Sequence, residues 1–231
     1  ALFAPLMIQK DTLLKEFPFS IICGILLGVL GFVGMTVGHI DGVVLLVLFF
    51  GYLAWMIRTA LKARAEGKAV EEEEYEILPV WKCLIFIVGG MIAIKFGGDF
   101  VVDGASVIAT GFGLSQNLIG LTVVALGTSL PELVTSIVAA RKNEVDMALG
   151  NVIGSNVFNI LLVLGIASTI SPIGFMMSNA VDIAAVIVAT IVCWAVAAKN
   201  KSLGRAMGII MVVSYFAYMV YVVMRETGAM M

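Results

Sequence analysis

Charge is what this 231-residue chain lacks most: Asp, Glu, Lys and Arg make up 13% of it, against roughly a quarter in soluble domains. That scarcity excludes a water-soluble globule. Histidine occurs once, as His39, and reads as an ordinary residue of a short loop rather than a ligand. The three cysteines, Cys23, Cys83 and Cys193, lie in or beside apolar runs without metal-ligand spacing. They exclude a disulfide framework and a thiolate metal centre and read as packing residues. No nucleophile–base pair and no metal triad stands out, so the chain is not expected to be an enzyme or to hold a cofactor. No secretory signal pattern precedes the first apolar run. The formal net charge of −2 says little about partners, and no nucleic-acid partner is expected.

What is there is apolar. Hydrophobic residues make up 61% of the chain and mean hydropathy is +1.09, the composition of an all-α integral membrane protein. A bilayer core needs about 20 apolar residues per helix. Seven segments meet or approach that length: 19–37, 42–57, 81–110, 114–140, 147–170, 183–198 and 206–224. Twelve of the 14 Lys and Arg residues fall on alternate loops: before the first span and after the second, fourth and sixth. That bias places Ala1 at or near the cytoplasmic side and the C-terminus outside; Lys95 and Arg225 depart from it. The one long polar stretch, from Arg58 to Pro79, contains the acidic run Glu71–Glu74. It reads as a solvated cytoplasmic linker, with cation or regulator binding as the alternative.

An internal repeat is visible. "GVVLLVLFFGYLAWMIR" (42–58) resembles "GIIMVVSYFAYMVYVVMR" (208–225), with Gly42 on Gly208 and Tyr52 on Tyr218, an offset of 166. "APL" ending at Leu6 echoes "SPI" ending at Ile173, at an offset of 167. The division expected from this is an end of a first repeat with two helices (1–60), a linker (61–79) and a complete second repeat of five helices (80–231). Corresponding helices would then run in opposite directions, the inverted-topology design common in transporters. The chain opens on Ala1 rather than Met, which carries the expectation that the rest of the first repeat precedes it. A chain missing those ligands is not expected to transport alone.

The segment "ALGTSLPELVTSIVAARKNEVDMALGNVIGSNVFN" (125–159) puts polar residues inside two apolar spans. Pro131 cannot donate to the carbonyl of Gly127, so carbonyls near Ala125 and Leu126 need other partners at membrane depth. Thr128, Ser129 and Glu132 share a helix face, and Asn151, Ser155 and Asn159 recur every four residues on the next span. Gly150 and Gly154 beside them permit close helix contact. All the donors are oxygens, the set preferred by hard cations such as Ca2+ and Na+. Burying an ionised Glu at mid-membrane costs at least about 2.5–3.5 kcal/mol, which points to function. The plainer alternative is helix glue around a protonated, hydrogen-bonded Glu. A second polar group, Lys95, Asp99 and Asp103, reads as an intrahelical ion pair on the third span, with a role in gating or an ion path as the alternative.

"ALGTSLPE" (125–132), "GNVIGSNVFN" (150–159) and the preceding "GGDFVVDGA" (97–105) resemble the α-repeat signature of the calcium/cation antiporter superfamily, the sodium/calcium exchangers and their prokaryotic relatives. The resemblance is strong over about 80–170. It implies a ten-helix fold of two inverted repeats, of which this chain would supply the last seven helices, in a prokaryotic inner (plasma) membrane. It implies Glu132 as the central Ca2+ ligand shared with Na+, and Thr128 as a ligand through its backbone oxygen. Ala125, through its carbonyl, Ser129 and Ser155 would complete Na+ sites, with Asn159 near the ions; Asn151 is included as a candidate from the polar stripe. Asn159 stands where some relatives carry a carboxylate, which bears on stoichiometry and proton coupling. The implied activity is exchange of Ca2+ for Na+ by alternating access. The alternatives are Ca2+/H+ exchange on the same scaffold and a non-transporting seven-helix membrane protein.

Overall fold

In the computed structural model, residues 6–65 and 78–228 are described. The elements run β1 (Leu6–Met7), α1 (Phe17–Phe32), β2 (Thr36–Val37), α2 (His39–Ala65), α3 (Val80–Gly111), α4 (Gln116–Ile119), α5 (Ala125–Thr128), α6 (Leu130–Arg141), α7 (Val145–Phe158), α8 (Leu164–Ile170), β3 (Ile173–Gly174), α9 (Met177–Asn200), β4 (Ser202–Leu203) and α10 (Arg205–Glu226). Three π-helical turns complete the helices: Thr12–Glu16 leads into α1, Gly120–Val124 joins α4 to α5, and Asn159–Val163 joins α7 to α8. Among the described residues, six helices are long and apolar enough to cross a membrane, and up to seven spans result when the bent pair in the fourth span counts as one. The expected seven-span, all-α architecture is therefore what the chain forms.

The ends of the spans differ from the expectation. The first membrane helix covers Thr12–Phe32 rather than 19–37, because Gly34 (φ 92°) and Met35 (φ 54°) turn the chain with left-handed backbone and Thr36–Val37 leave as a strand. The second span runs on to Ala65 and the sixth covers Met177–Asn200, since Arg, Lys and Ala continue a helix beyond the bilayer edge without loss. His39 is not a loop residue: it begins α2 and its Nδ1 lies 2.9 Å from the Thr169 carbonyl. The acidic run Glu71–Glu74 lies outside the described residues.

Two compact units make up the chain. Among the described residues, one comprises 78–143 and 204–228; the other comprises 6–65 and 144–203. In the second unit, α1 packs on α9 and α7, and α2 on α8. Its core is the cluster Cys23, Leu27, Val37, Leu45, Val157 and Leu161. Glycine makes the closest approach possible: a Cβ on Gly42 would lie 2.5 Å from the Thr169 backbone nitrogen and 2.6 Å from the Ser168 hydroxyl. Trp194 of α9 donates its indole N–H to the Leu13 carbonyl at 2.7 Å.

Two small antiparallel sheets pin the ends of these helices. β1 pairs with β4, Leu6 opposite Leu203, and β2 pairs with β3, Val37 opposite Ile173. Ile8 N–H to Lys201 O (3.1 Å) and Phe175 N–H to Met35 O (2.9 Å) extend them. The offset seen in the sequence recurs here. Met35 and Lys201, both left-handed (φ 54° and 53°), stand 166 residues apart, as do the starts of β2 and β4 and of α2 and α10; β1 and β3 start 167 apart.

Candidate functional site

The first unit holds the break. α4, its π-helical turn and α5 end at Ser129, whose backbone (φ −93°, ψ 0°) closes one helix and opens the next, α6. The segments Thr122–Thr128 and Leu130–Arg141 meet at 46°. Pro131 explains why the two do not fuse: it occupies the opening of α6, where its missing N–H is tolerated, and withholds a donor from Gly127. Ser129 still bridges the bend, donating its N–H to Leu126 O at 3.1 Å and accepting from Leu133 N–H at 3.0 Å.

The candidate ligands cluster at that bend. The Thr128 hydroxyl donates to the Ala125 carbonyl at 3.0 Å, which orients both oxygens on the last turn of α5. Ser129 is exposed at the break itself, and Glu132 stands in the first turn of α6, where the amide dipoles favour a negative charge. Glu132 is half-buried and its Oε2 atom is buried. Ala125, Thr128, Ser129 and Glu132 thus lie within two turns of one broken helix.

α3 runs beside this break. Gly127 meets Val102 so closely that a Cβ would overlap the valine side chain. The small residue in "ALGTS" is therefore required by packing. Lys95 and Asp99 form the expected i, i+4 ion pair at 2.8 Å, both side chains more than half exposed. With Asp103 they line a cavity of about 680 Å³ whose other wall carries Gly127, Thr128 and Pro131. The grouping of the Lys95 triad with Thr128 was not read from the sequence; the only available signal was the i, i+4, i+8 spacing on a span with few other charges.

The second unit carries the other candidates. Asn151 and Ser155 are half-buried on α7, and Ser155 donates to the Val152 carbonyl at 3.1 Å. Asn159 is exposed and opens the π-helical turn Asn159–Val163, a kind of distortion frequent at functional sites. The close helix contact expected at Gly150 and Gly154 is not made among the described residues, where no atom comes within 4 Å of a Cβ built on either. No group of three His, Cys, Asp or Glu residues gathers as a metal centre among the described residues.

The sequence matches the sodium/calcium exchanger protein family over residues 82–224. It is 30% identical to the inner membrane protein YrbG of Escherichia coli, with 95% of this chain and 69% of that protein covered. It is 45% identical to the sodium/calcium exchanger MaX1 of Methanosarcina acetivorans over 89 residues, 38% of this chain and 25% of the relative. Among solved structures, the sodium-calcium exchanger NCX_Mj, soaked with zero Na+ and Ca2+, superposes with a TM-score of 0.76 at 31% identity over 96% of this chain and 69% of that one. The chain spans about half to two thirds of the length of the relatives that match most of it: 54%, 69% and 67%.

Proposed function

The chain belongs to the sodium/calcium exchanger protein family, and from that premise we propose that it forms part of a secondary antiporter exchanging Ca2+ for Na+ across a membrane by alternating access. The observation that carries the reading is the break at Ser129, with Glu132 in the first turn beyond it and the Ala125 and Thr128 oxygens in the last turn before it. Helix ends inside a span free backbone oxygens and aim dipoles at one place, the arrangement transporters use for ions.

The proposed roles follow from the chemistry of each group. Glu132 supplies the negative charge for Ca2+ and, in its absence, for Na+; Thr128 and Ala125 supply backbone carbonyl oxygens; Ser129 and Ser155 supply hydroxyls; Asn151 and Asn159 supply amide oxygens. Competition of both ions for one set of oxygens makes exchange obligatory, because filling the site with one ion displaces the other. The shared offset of 166 in the left-handed residues and in the strand and helix starts supports the division into 1–60, 61–79 and 80–231 and an inverted repeat completed by residues outside this sequence. The alternating Lys and Arg loops support a C-terminus on the outer side, and similarity to an inner membrane protein supports a prokaryotic inner membrane.

The test is flux. The natural full-length transporter, reconstituted in vesicles, is expected to take up radiolabelled Ca2+ when an outward Na+ gradient is imposed and to stop when that gradient is collapsed. Uptake driven as well by a pH gradient without Na+ would replace the Na+ assignment with proton exchange. No gradient-driven Ca2+ flux at all would overturn both.

A further inference from the structure

The groove between α1 and α2 takes no part in the ion site. Phe19 and Tyr52 bridge the two helices as stacked rings, centroids 4.3 Å apart and 11° from parallel. Beside that stack the helices leave an open space of about 690 Å³, lined by apolar side chains such as Ile22, Val47 and Leu48 and by Gly51, which has no side chain to fill it. At one end of the groove stand Lys15 and Trp55. Arg58 and Lys62 follow Trp55 at three and seven residues, on the same face of α2. Lys15 pairs with Asp11 at 2.8 Å, but both side chains are well exposed, at 43% and 69%, so the pair is weak and open to exchange. Over 9–16 and 55–65 the chain carries Lys10, Lys15, Arg58, Lys62 and Arg64 against Asp11 and Glu16, a net positive rim.

We propose that the α1–α2 groove binds an anionic phospholipid from the leaflet that meets the Lys- and Arg-rich loops. One acyl chain lies along the groove, the phosphate sits between Lys15 and Arg58, and the Trp55 indole sits at headgroup depth, the level aromatic belts occupy. Charge complementarity selects this occupant. Basic residues near an anionic membrane surface each add attraction, whereas a zwitterionic lipid gains only the apolar contact.

Native mass spectrometry of the detergent-purified full-length transporter, given phosphatidylglycerol or phosphatidylcholine with matched acyl chains, reads the site directly and independently of transport. Phosphatidylglycerol is expected to be retained preferentially. K15Q and R58Q should each lower that retention roughly fivefold, and together bring it to the level of phosphatidylcholine. G51L, which fills the groove and leaves every charge, should lower retention of both lipids. K142Q removes a cation of the other compact unit and should change nothing. Should G51L fail to fold, brominated phosphatidylglycerol must quench wild-type tryptophan fluorescence more than brominated phosphatidylcholine does, with the difference lost in W55F. Equal retention of the two lipids by the wild type, wild-type retention in K15Q/R58Q, an equal loss in K142Q, or a groove that takes neither lipid overturns the proposal.

Discussion

Gly42 lies against Thr169 with no room for a side chain between them: a Cβ on the glycine would sit 2.5 Å from the threonine backbone nitrogen. Two helices of the second unit, α2 and α8, owe their close approach to that missing atom. Gly165 repeats the device from the other helix, where a Cβ would come within 3.1 Å of Leu46.

Gly42→Ala is therefore expected to push α2 off α8 and destabilise the protein by about 1–3 kcal/mol, the usual cost of overpacking. Gly89→Ala, at a position where nothing lies within 4 Å of the added carbon, should be neutral or slightly stabilising. Thermal denaturation midpoints of the two purified variants decide the matter; equal midpoints would show that the α2–α8 contact tolerates expansion.

Gly127 and Val102 form the corresponding contact beside the break. Gly127→Ala should impair Ca2+ binding in the full transporter by displacing α3, and Val102→Ala in the same molecule should restore most of it by making room. Failure of the second change to rescue the first would assign the effect of Gly127 to backbone freedom instead of packing.

Restoring the missing donor at residue 131 tests the break itself. Pro131→Ala allows an N–H to bond the Gly127 carbonyl, so the 46° bend should relax and Ca2+ affinity should fall by about 10- to 100-fold, as when a ligand is misoriented. Calorimetric titration of Ca2+ measures this, and unchanged affinity would show that the bend is set by something other than the proline.

Glu132→Gln keeps shape and removes charge. Gradient-driven Ca2+ uptake by the full transporter should drop by roughly 100-fold or more, since a hard divalent ion depends on carboxylate charge. Helix content by circular dichroism should stay as in the wild type. Robust uptake by this variant would remove Glu132 from the proposed ligand set.

Trp194→Phe keeps the ring and deletes the indole donor to Leu13 O. A loss of about 1 kcal/mol is expected, read as a lower denaturation midpoint, with Ca2+ binding intact because neither residue belongs to the candidate site.

The membrane spans were legible because about 20 apolar residues in a row leave few alternatives. Their ends were not, because the turn at Gly34 and Met35 is made of residues that fit an apolar span equally well, and Met35 in left-handed backbone has no compositional signature. β1 and β4 were invisible for another reason: two-residue strands show no alternation, and Leu6 finds Leu203 only through the whole fold. The break at Ser129 was readable from Gly127 and Pro131, whose chemistry acts locally. What Gly127 touches, and the placing of the Lys95 triad across from Thr128, depend on how α3 packs, which no local pattern encodes.

The pairing of Leu6–Met7 with Ser202–Leu203 also sets a timetable for biogenesis. At ribosomal rates of about 5–20 residues per second, the first strand waits on the order of 10–40 s for its partner to be made. Throughout that interval its backbone groups need water or headgroups to bond, so this end must stay at the membrane surface during insertion. The latch closes only after the sixth span, Met177–Asn200, has been synthesised, which makes it a late check that the preceding helices have reached their places.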